Sequence, residues 1–215
     1  MCNLIEQIHE VLLRFPELKL SKVQNDMLIS GKLNINCEYK DEHIIDDYEV
    51  VIIIPFEYPK VLPKIREIAR RIPLKYGHIY SDGELCLAPD EEIKLFFYEK
   101  ISLNSWIDNY VIPYLFGYSY YEKYGVMPFG ERSHGKAGIK EFYKEFFNIS
   151  TEKQLKKFFD YIRNKEYRYR GHHLCPCGSG NKVRNCHKEV LIKCQEIYIR
   201  KILRQSYIKL WGKVR

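Results

Sequence analysis

The sequence predicts an α+β protein, with an antiparallel meander sheet flanked by helices and then a helical C-terminal extension. Two patterns carry that expectation. Leu33, Ile35, Cys37 and Tyr39 alternate with Lys32, Asn34, Asn36 and Glu38, the period of two that marks a half-buried strand. Apolar residues recur at helical spacing near both ends of the chain. The 215 residues, 46% apolar, 29% charged and 14% aromatic, have the composition of a folded globule and the length for one core domain plus an appendage.

Each element follows in order. "MCNLIEQIHEVLLRF" is an amphipathic helix that stops before Pro16. In the strand that follows, the alternation points Cys37 into a core. "DDYEVVIIIPF" reads as a strand buried on both faces or nearly so, and the short polar links between strands suggest an antiparallel meander. Prolines 59 and 63 remove backbone donors, so the chain must leave the sheet there. From Lys75 to about Ile93 no helical or strand period is sustained, which predicts a long ordered loop of the functional kind. Trp106, Ile107, Tyr110, Val111, Tyr114 and Leu115 then fall at helical spacing, with Pro113 allowing a kink. "IKEFYKEFFN" and "TEKQLKKFFDYIRN" are two short helices, the second capped by Thr151, and "VLIKCQEIYIRKILRQSYIKLW" is a last amphipathic helix.

Several classes are excluded or disfavoured. The longest apolar run, "VVIII", is far short of the roughly 18 residues a membrane span needs. Glu6 and Glu10 inside the first helix do not fit a signal peptide, so a cytoplasmic protein with no membrane partner is expected. Seven cysteines then point to thiol chemistry or metal binding and not to a disulfide framework. No phosphate-binding glycine motif occurs. The net charge of +7 is uneven: residues 151–215 hold 17 Lys/Arg against 5 Asp/Glu, and residues 1–150 hold 18 against 23. A basic end of this kind is either a solvated helix surface or a contact for an acidic partner or nucleic acid.

Two stretches carry a family likeness. "VIIIPFEYPKVLPKI", with Pro55, Tyr58, Pro59 and Pro63, and "GHIYSDGELCL", with Gly83, Leu85, Cys86 and Leu87, together resemble the ubiquitin-conjugating enzymes over roughly residues 1–125. The resemblance implies a UBC-like sheet and makes Cys86 a thioester-forming nucleophile. A thiolate is well suited to attack an activated carbonyl. The Asp82-Gly83 turn would face its sulfur outward while Leu85 and Leu87 anchor inward. The family's His-Pro-Asn triplet is replaced by Tyr76, Gly77 and His78, so His78 stands where an asparagine is expected. Its imidazole N–H could donate as a carboxamide does, and unlike Asn it could also act as a base. Asp90, Glu91 and Glu92 could orient an incoming amine, or form a solvated acidic loop. With no nucleotide site in the chain, a separate activating enzyme or another activated donor is required.

"CPCGSGNKVRNCH" resembles the SEC-C motif, a small zinc knuckle appended to many bacterial proteins. The resemblance implies that Cys175, Cys177, Cys186 and His187 hold a structural Zn2+, three thiolates and one imidazole being a closed tetrahedral set. His172 and His173 read as surface residues, Cys194 as a buried packing residue, and Cys2 carries no readable role. The divisions expected are 1–128 for the conjugating core, 129–170 for a helical connector, and 171–215 for the zinc knuckle and basic C-terminal helix. Joined, these features resemble the stand-alone conjugating proteins of bacterial CBASS antiphage operons. That likeness implies a thioester between Cys86 and the C-terminal carboxylate of a cGAS-like nucleotidyltransferase or a ubiquitin-like protein, and nucleic acid is the less favoured partner for the basic end. A non-catalytic zinc-containing adaptor of UBC-like fold is the alternative, and a cysteine hydrolase using His78 or His134 as base is a third reading.

Overall fold

The computed structural model describes residues 3–39, 42–130, 133–164 and 168–212, so Cys2 lies outside the described residues. The chain forms two compact units, Met1–Glu131 and Arg132–Arg215.

In the first unit, α1 (Leu4–Arg14) begins with a capping box: the Asn3 side chain accepts from the Ile5 N–H, and the Glu6 carboxylate accepts from the Asn3 N–H. These bonds satisfy orphan donors of the first turn, and the helix ends two residues before Pro16 as the sequence requires. Strands β1 (Leu18–Val23), β2 (Asp26–Tyr39), β3 (Glu42–Ile54) and β4 (Lys64–Glu67) form one antiparallel sheet in sequence order. The register pairs Leu33 with Tyr48 and Ile52 with Ile65. Gly31 faces Leu18 across β1 and β2, and any Cβ there would lie 2.3 Å from the Glu17 carbonyl oxygen. The meander is therefore as expected.

Burial follows the pleat. Leu33 and Ile35 on β2, and Tyr48, Val50, Ile52 and Ile54 on β3, join one core, with Cys37 and Tyr39 packed at its margin. Val51 and Ile53 are only half-buried, which corrects the expectation of a strand buried on both faces. Only one face of an antiparallel sheet needs covering. Here α1 and the helical run 103–124 cover it, placing Ile8, Trp106, Val111 and Leu115 in the same core. That run is α3 (Leu103–Trp106), a wide π turn (Ile107–Val111) and α4 (Ile112–Tyr124). The wide turn sits just upstream of Pro113, which cannot donate to the ladder.

The chain leaves the sheet after Ile54 and returns as β4 directly after Pro63. The Tyr58 hydroxyl donates to Gln7 Oε1 at 2.9 Å, and the same buried oxygen accepts from the Leu103 N–H at 3.0 Å. One carboxamide thus ties the proline segment to α1 and α3.

The second unit is helical, with α5 (Gly135–Phe147), α6 (Glu152–Ile162), α7 (Lys188–Lys193) and α8 (Ile197–Trp211). Thr151 caps α6 in a reciprocal box with Gln154. The core is aromatic: Tyr143 meets Phe159 edge-on at 4.9 Å, Phe147 stacks on Phe158 at 5.0 Å, and the Tyr143 hydroxyl bonds Ser206 Oγ at 2.7 Å. The two helices expected to act as a connector therefore supply this unit's interior.

Candidate functional site

The loop expected over 75–93 is more ordered than its sequence period suggests. After a short 3-10 turn at Leu74–Tyr76, residues 78–86 form a small hairpin. The Cys86 N–H donates to the His78 carbonyl at 2.8 Å, the Tyr80 N–H donates to the Glu84 carbonyl at 2.8 Å, and Ile79 bridges Leu85. Gly83, with φ of 85°, donates to the Tyr80 carbonyl at 2.9 Å, the three-residue turn that favours glycine at its left-handed position. Asp82 accepts from the Glu84 N–H at 3.2 Å and from Arg66 at 3.0 Å. The Glu84 N–H first, and then the Arg66 guanidinium, outweigh burial and hold its carboxyl below the ordinary value.

This register decides which side chains share a face. Ile79 and Leu85 turn inward, and Leu85 is 3% exposed. Tyr80, Glu84 and Cys86 occupy the outward positions, with Tyr80 on the diagonal from Cys86. His78 is directly across from Cys86 in the backbone register, where opposite residues stand about 5 Å apart at Cβ, and its ring packs edge-on against Tyr76 at 5.3 Å. The hairpin is also pinned to the sheet edge, because the Leu85 N–H donates to the Ile65 carbonyl at 2.9 Å and Lys64 meets Glu84 at 2.6 Å. Behind it, Tyr76 packs against the rings of Tyr114, Tyr118 and Tyr121, and the Tyr114 hydroxyl donates to the His78 carbonyl at 2.7 Å. Burial pushes the Tyr76 phenol up to about 12.

Cys86 is half-buried and lines an open groove of about 230 Å3 with Val61, Leu62, Tyr80, Leu87 and Lys94. Tyr80 neighbours Cys86 in this groove, and the thiol beside its hydroxyl, with burial added, holds the phenol above its ordinary value. The acidic residues differ from expectation. Asp90, Glu91 and Glu92 are not a solvated loop but the first turn of α2 (Asp90–Glu99), where carboxylates suit the positive end of the helix. Glu91 is buried at 3% exposure, while Asp90 is exposed on the groove wall and lies 3.9 Å from Lys94.

In the second unit the structure brings Cys175, Cys177, Cys186 and His187 together, their donor atoms all within 4.8 Å of one another. Nearest donor pairs are 3.1 Å for Cys175 Sγ to His187 Nδ1, 3.1 Å for Cys186 Sγ to the same nitrogen, and 3.5 Å for Cys177 Sγ to Cys186 Sγ. These nearest separations lie below, and the 4.8 Å limit above, the edge of about 3.8 Å for a tetrahedron whose radius is a zinc–sulfur bond of about 2.3 Å. His187 Nε2 donates to the Asn148 carbonyl at 3.3 Å, leaving Nδ1 as the lone pair aimed at the sulfurs, the outer contact that orients a metal-binding imidazole. Burial pushes the Cys175 thiol up to about 12. For Cys177 burial acts the same way but is outweighed by the Ser179 hydroxyl and N–H and the adjacent thiols, which bring it down to about 6. The set can hold a metal ion and is compatible with zinc. His172 and His173 are exposed, and Cys194 is fully buried, its thiol pushed up to about 12 by burial.

Two residues at the Cys86 groove were not singled out from the sequence, Tyr80 and Lys64. Both were accessible in principle: closing a hairpin on the Asp82-Gly83 turn puts Tyr80 on the face of Cys86, and pairing that hairpin with β4 adds Lys64. The chain matches no protein-family model, and no curated protein is similar to it.

Proposed function

We propose that the chain is a ubiquitin-conjugating-type cysteine acyltransferase, its first unit UBC-like and its second a zinc knuckle of the SEC-C kind on a helical base. The observation that carries the reading is the placement of Cys86: a half-buried sulfur on the outward face of a pinned hairpin, in a groove open to a second chain. A structural cysteine would need neither the groove nor the outward register.

The chemistry has two steps. The Cys86 thiolate attacks the activated C-terminal carbonyl of a donor, a carbon–sulfur bond forms, and the donor's leaving group departs. An amine then attacks the thioester, loses a proton to His78 or Asp90, and releases Cys86 as thiolate. Donors aimed at the acyl oxygen stabilise the charge that develops there; Tyr80 lines the same groove as the sulfur, and His78 stands across from it in the register. The four donors of the second unit would hold a structural zinc ion with no position left open for substrate, so the knuckle serves folding and recognition. The donor is the C-terminal tail of a cGAS-like nucleotidyltransferase or of a ubiquitin-like protein, charged by a separate activating enzyme, in the cytoplasm of a bacterium defending against phage.

The test is to incubate the full chain with a cGAS-like nucleotidyltransferase, an activating enzyme and ATP, and to run non-reducing gels. A thiol-sensitive adduct is expected that disappears in Cys86→Ala and becomes thiol-resistant in Cys86→Lys. Stable co-purification of the partner with both wild type and Cys86→Ala, with no adduct in either, would replace the enzyme with an adaptor.

A further inference from the structure

Helices α6 and α8 of the second unit border a groove of about 340 Å3 that the Cys86 chemistry does not use. Its floor is apolar, with Phe159, Ile162 and Leu203 almost fully buried beneath it. At one end stands Ile197, 88% exposed, although it is the first residue of α8 and an aliphatic side chain gains nothing from water there. Arg163, Arg200, Lys201 and Arg204 form the rim. Ile197, Arg200, Lys201 and Arg204 recur at the three- and four-residue spacing that places side chains on one face of a helix. Arg163 is engaged by Asp160 at 3.0 Å and Arg200 by the Asn164 carbonyl at 3.4 Å. Lys201 and Arg204 have no acidic partner among the described residues.

Four cations around an apolar trough repel one another, and the region is already basic, with 17 Lys/Arg against 5 Asp/Glu over 151–215. An anionic ligand relieves that repulsion, and the trough selects among anionic ligands. Nucleic acid would use the cations but would want exposed aromatic faces for its bases, whereas the exposed wall here is aliphatic and the one ring, Phe159, is 1% exposed. A cavity of this size at the low end of ligand pockets suits one or two apolar side chains flanked by carboxylates. We propose that this groove docks an acidic segment of a partner protein through an apolar anchor residue, with Arg163, Arg200, Lys201 and Arg204 reading the flanking charge. The proposal is independent of any reaction at Cys86.

Fluorescence anisotropy tests it on the full chain with three labelled probes: an eight-residue Asp/Glu peptide with central Leu and Phe, the same peptide with Gly and Ser in place of the apolar pair, and a single-stranded oligonucleotide. The first peptide is expected to bind at least about tenfold more tightly than the second. Lys201→Glu with Arg204→Glu should weaken it by about tenfold or more, Ile197→Ser should weaken it severalfold, and Lys188→Glu on α7 should leave it unchanged. Equal binding of the two peptides, tighter binding of the oligonucleotide, no peptide binding at all, or indifference to the double charge reversal would each overturn the proposal. Concentration-dependent self-association abolished by Ile197→Ser would overturn it in favour of a second copy of this chain.

Discussion

The hairpin that aims Cys86 rests on Leu85, so Leu85→Ala is the sharpest test of how the fold supports the site. The side chain is 3% exposed and belongs to the core cluster of the first unit, while its neighbour Cys86 points the other way. Truncation removes three carbons, worth about 2.4 kcal/mol at about 0.8 kcal/mol per buried carbon. A residual cavity would normally add to that. Leu85 also borders the open groove beside Cys86, so water can enter part of the space, and the expected cost stays near the low end of the Leu→Ala range, about 2–3 kcal/mol. Urea denaturation followed by tryptophan fluorescence measures it, because Trp106 is fully buried in the same core. A midpoint shift with unchanged slope is expected, together with faster alkylation of Cys86 under native conditions as the hairpin opens locally. A loss under about 0.5 kcal/mol, the range of ordinary surface substitutions, would refute the claim that this residue anchors the hairpin.

Further outcomes follow from the same geometry. Cys177→Ser and His187→Ala should each abolish stoichiometric zinc by elemental analysis and cost the second unit its cooperative unfolding, since binding energy of order 10 kcal/mol is folding energy at such a site; full zinc retention in both would contradict the four-donor set. Tyr80→Phe should leave stability within about 0.5 kcal/mol, because the ring is half-exposed, yet slow thioester formation severalfold in gel-based time courses; an unchanged rate would separate Tyr80 from the reaction. Asp46 sets an acid limit for the first unit. Burial works against its carboxylate, but bonds from Arg71 at 2.7 and 2.8 Å and from Ser119 at 2.8 Å outweigh it and hold its pKa below the ordinary 3.8. A lowered folded value means that its contribution is complete above pH 3.8 and is lost as pH falls through the lowered value. Asp46→Asn should therefore flatten the acid side of the stability profile recorded by circular dichroism, and an unchanged profile would show that the network contributes nothing.

Much of the fold was legible because local rules and tertiary packing agree. Pro16 ends α1, the alternation through Leu33 to Tyr39 makes β2, and Thr151 caps α6. The failures have physical causes. The run 50–54 looked buried on both sides because Val51 and Ile53 are apolar, yet apolar residues are common on half-covered sheet faces. The span 75–93 showed no period because it divides into a 3-10 turn, a hairpin with a three-residue turn and the start of α2, each shorter than any window that detects periodicity. At the site, the Asp82-Gly83 turn suggested the outward aim of Cys86, and the likeness to the SEC-C motif implied the gathering of four metal donors that the structure shows. Tyr80 and Lys64 follow only once the hairpin is closed on the Asp82-Gly83 turn and paired with β4, since their nearness to Cys86 depends on which backbone groups pair across the hairpin and the edge of β4.

The central claim is that one sulfur carries another chain's carboxyl terminus. Peptide mapping by mass spectrometry of the Cys86→Lys protein, after reaction with the activated donor, tests it most directly. The account predicts an amide-linked donor tail at residue 86 and none on the other lysines that border its groove. A donor tail mapped to another residue, with position 86 unmodified, would contradict it.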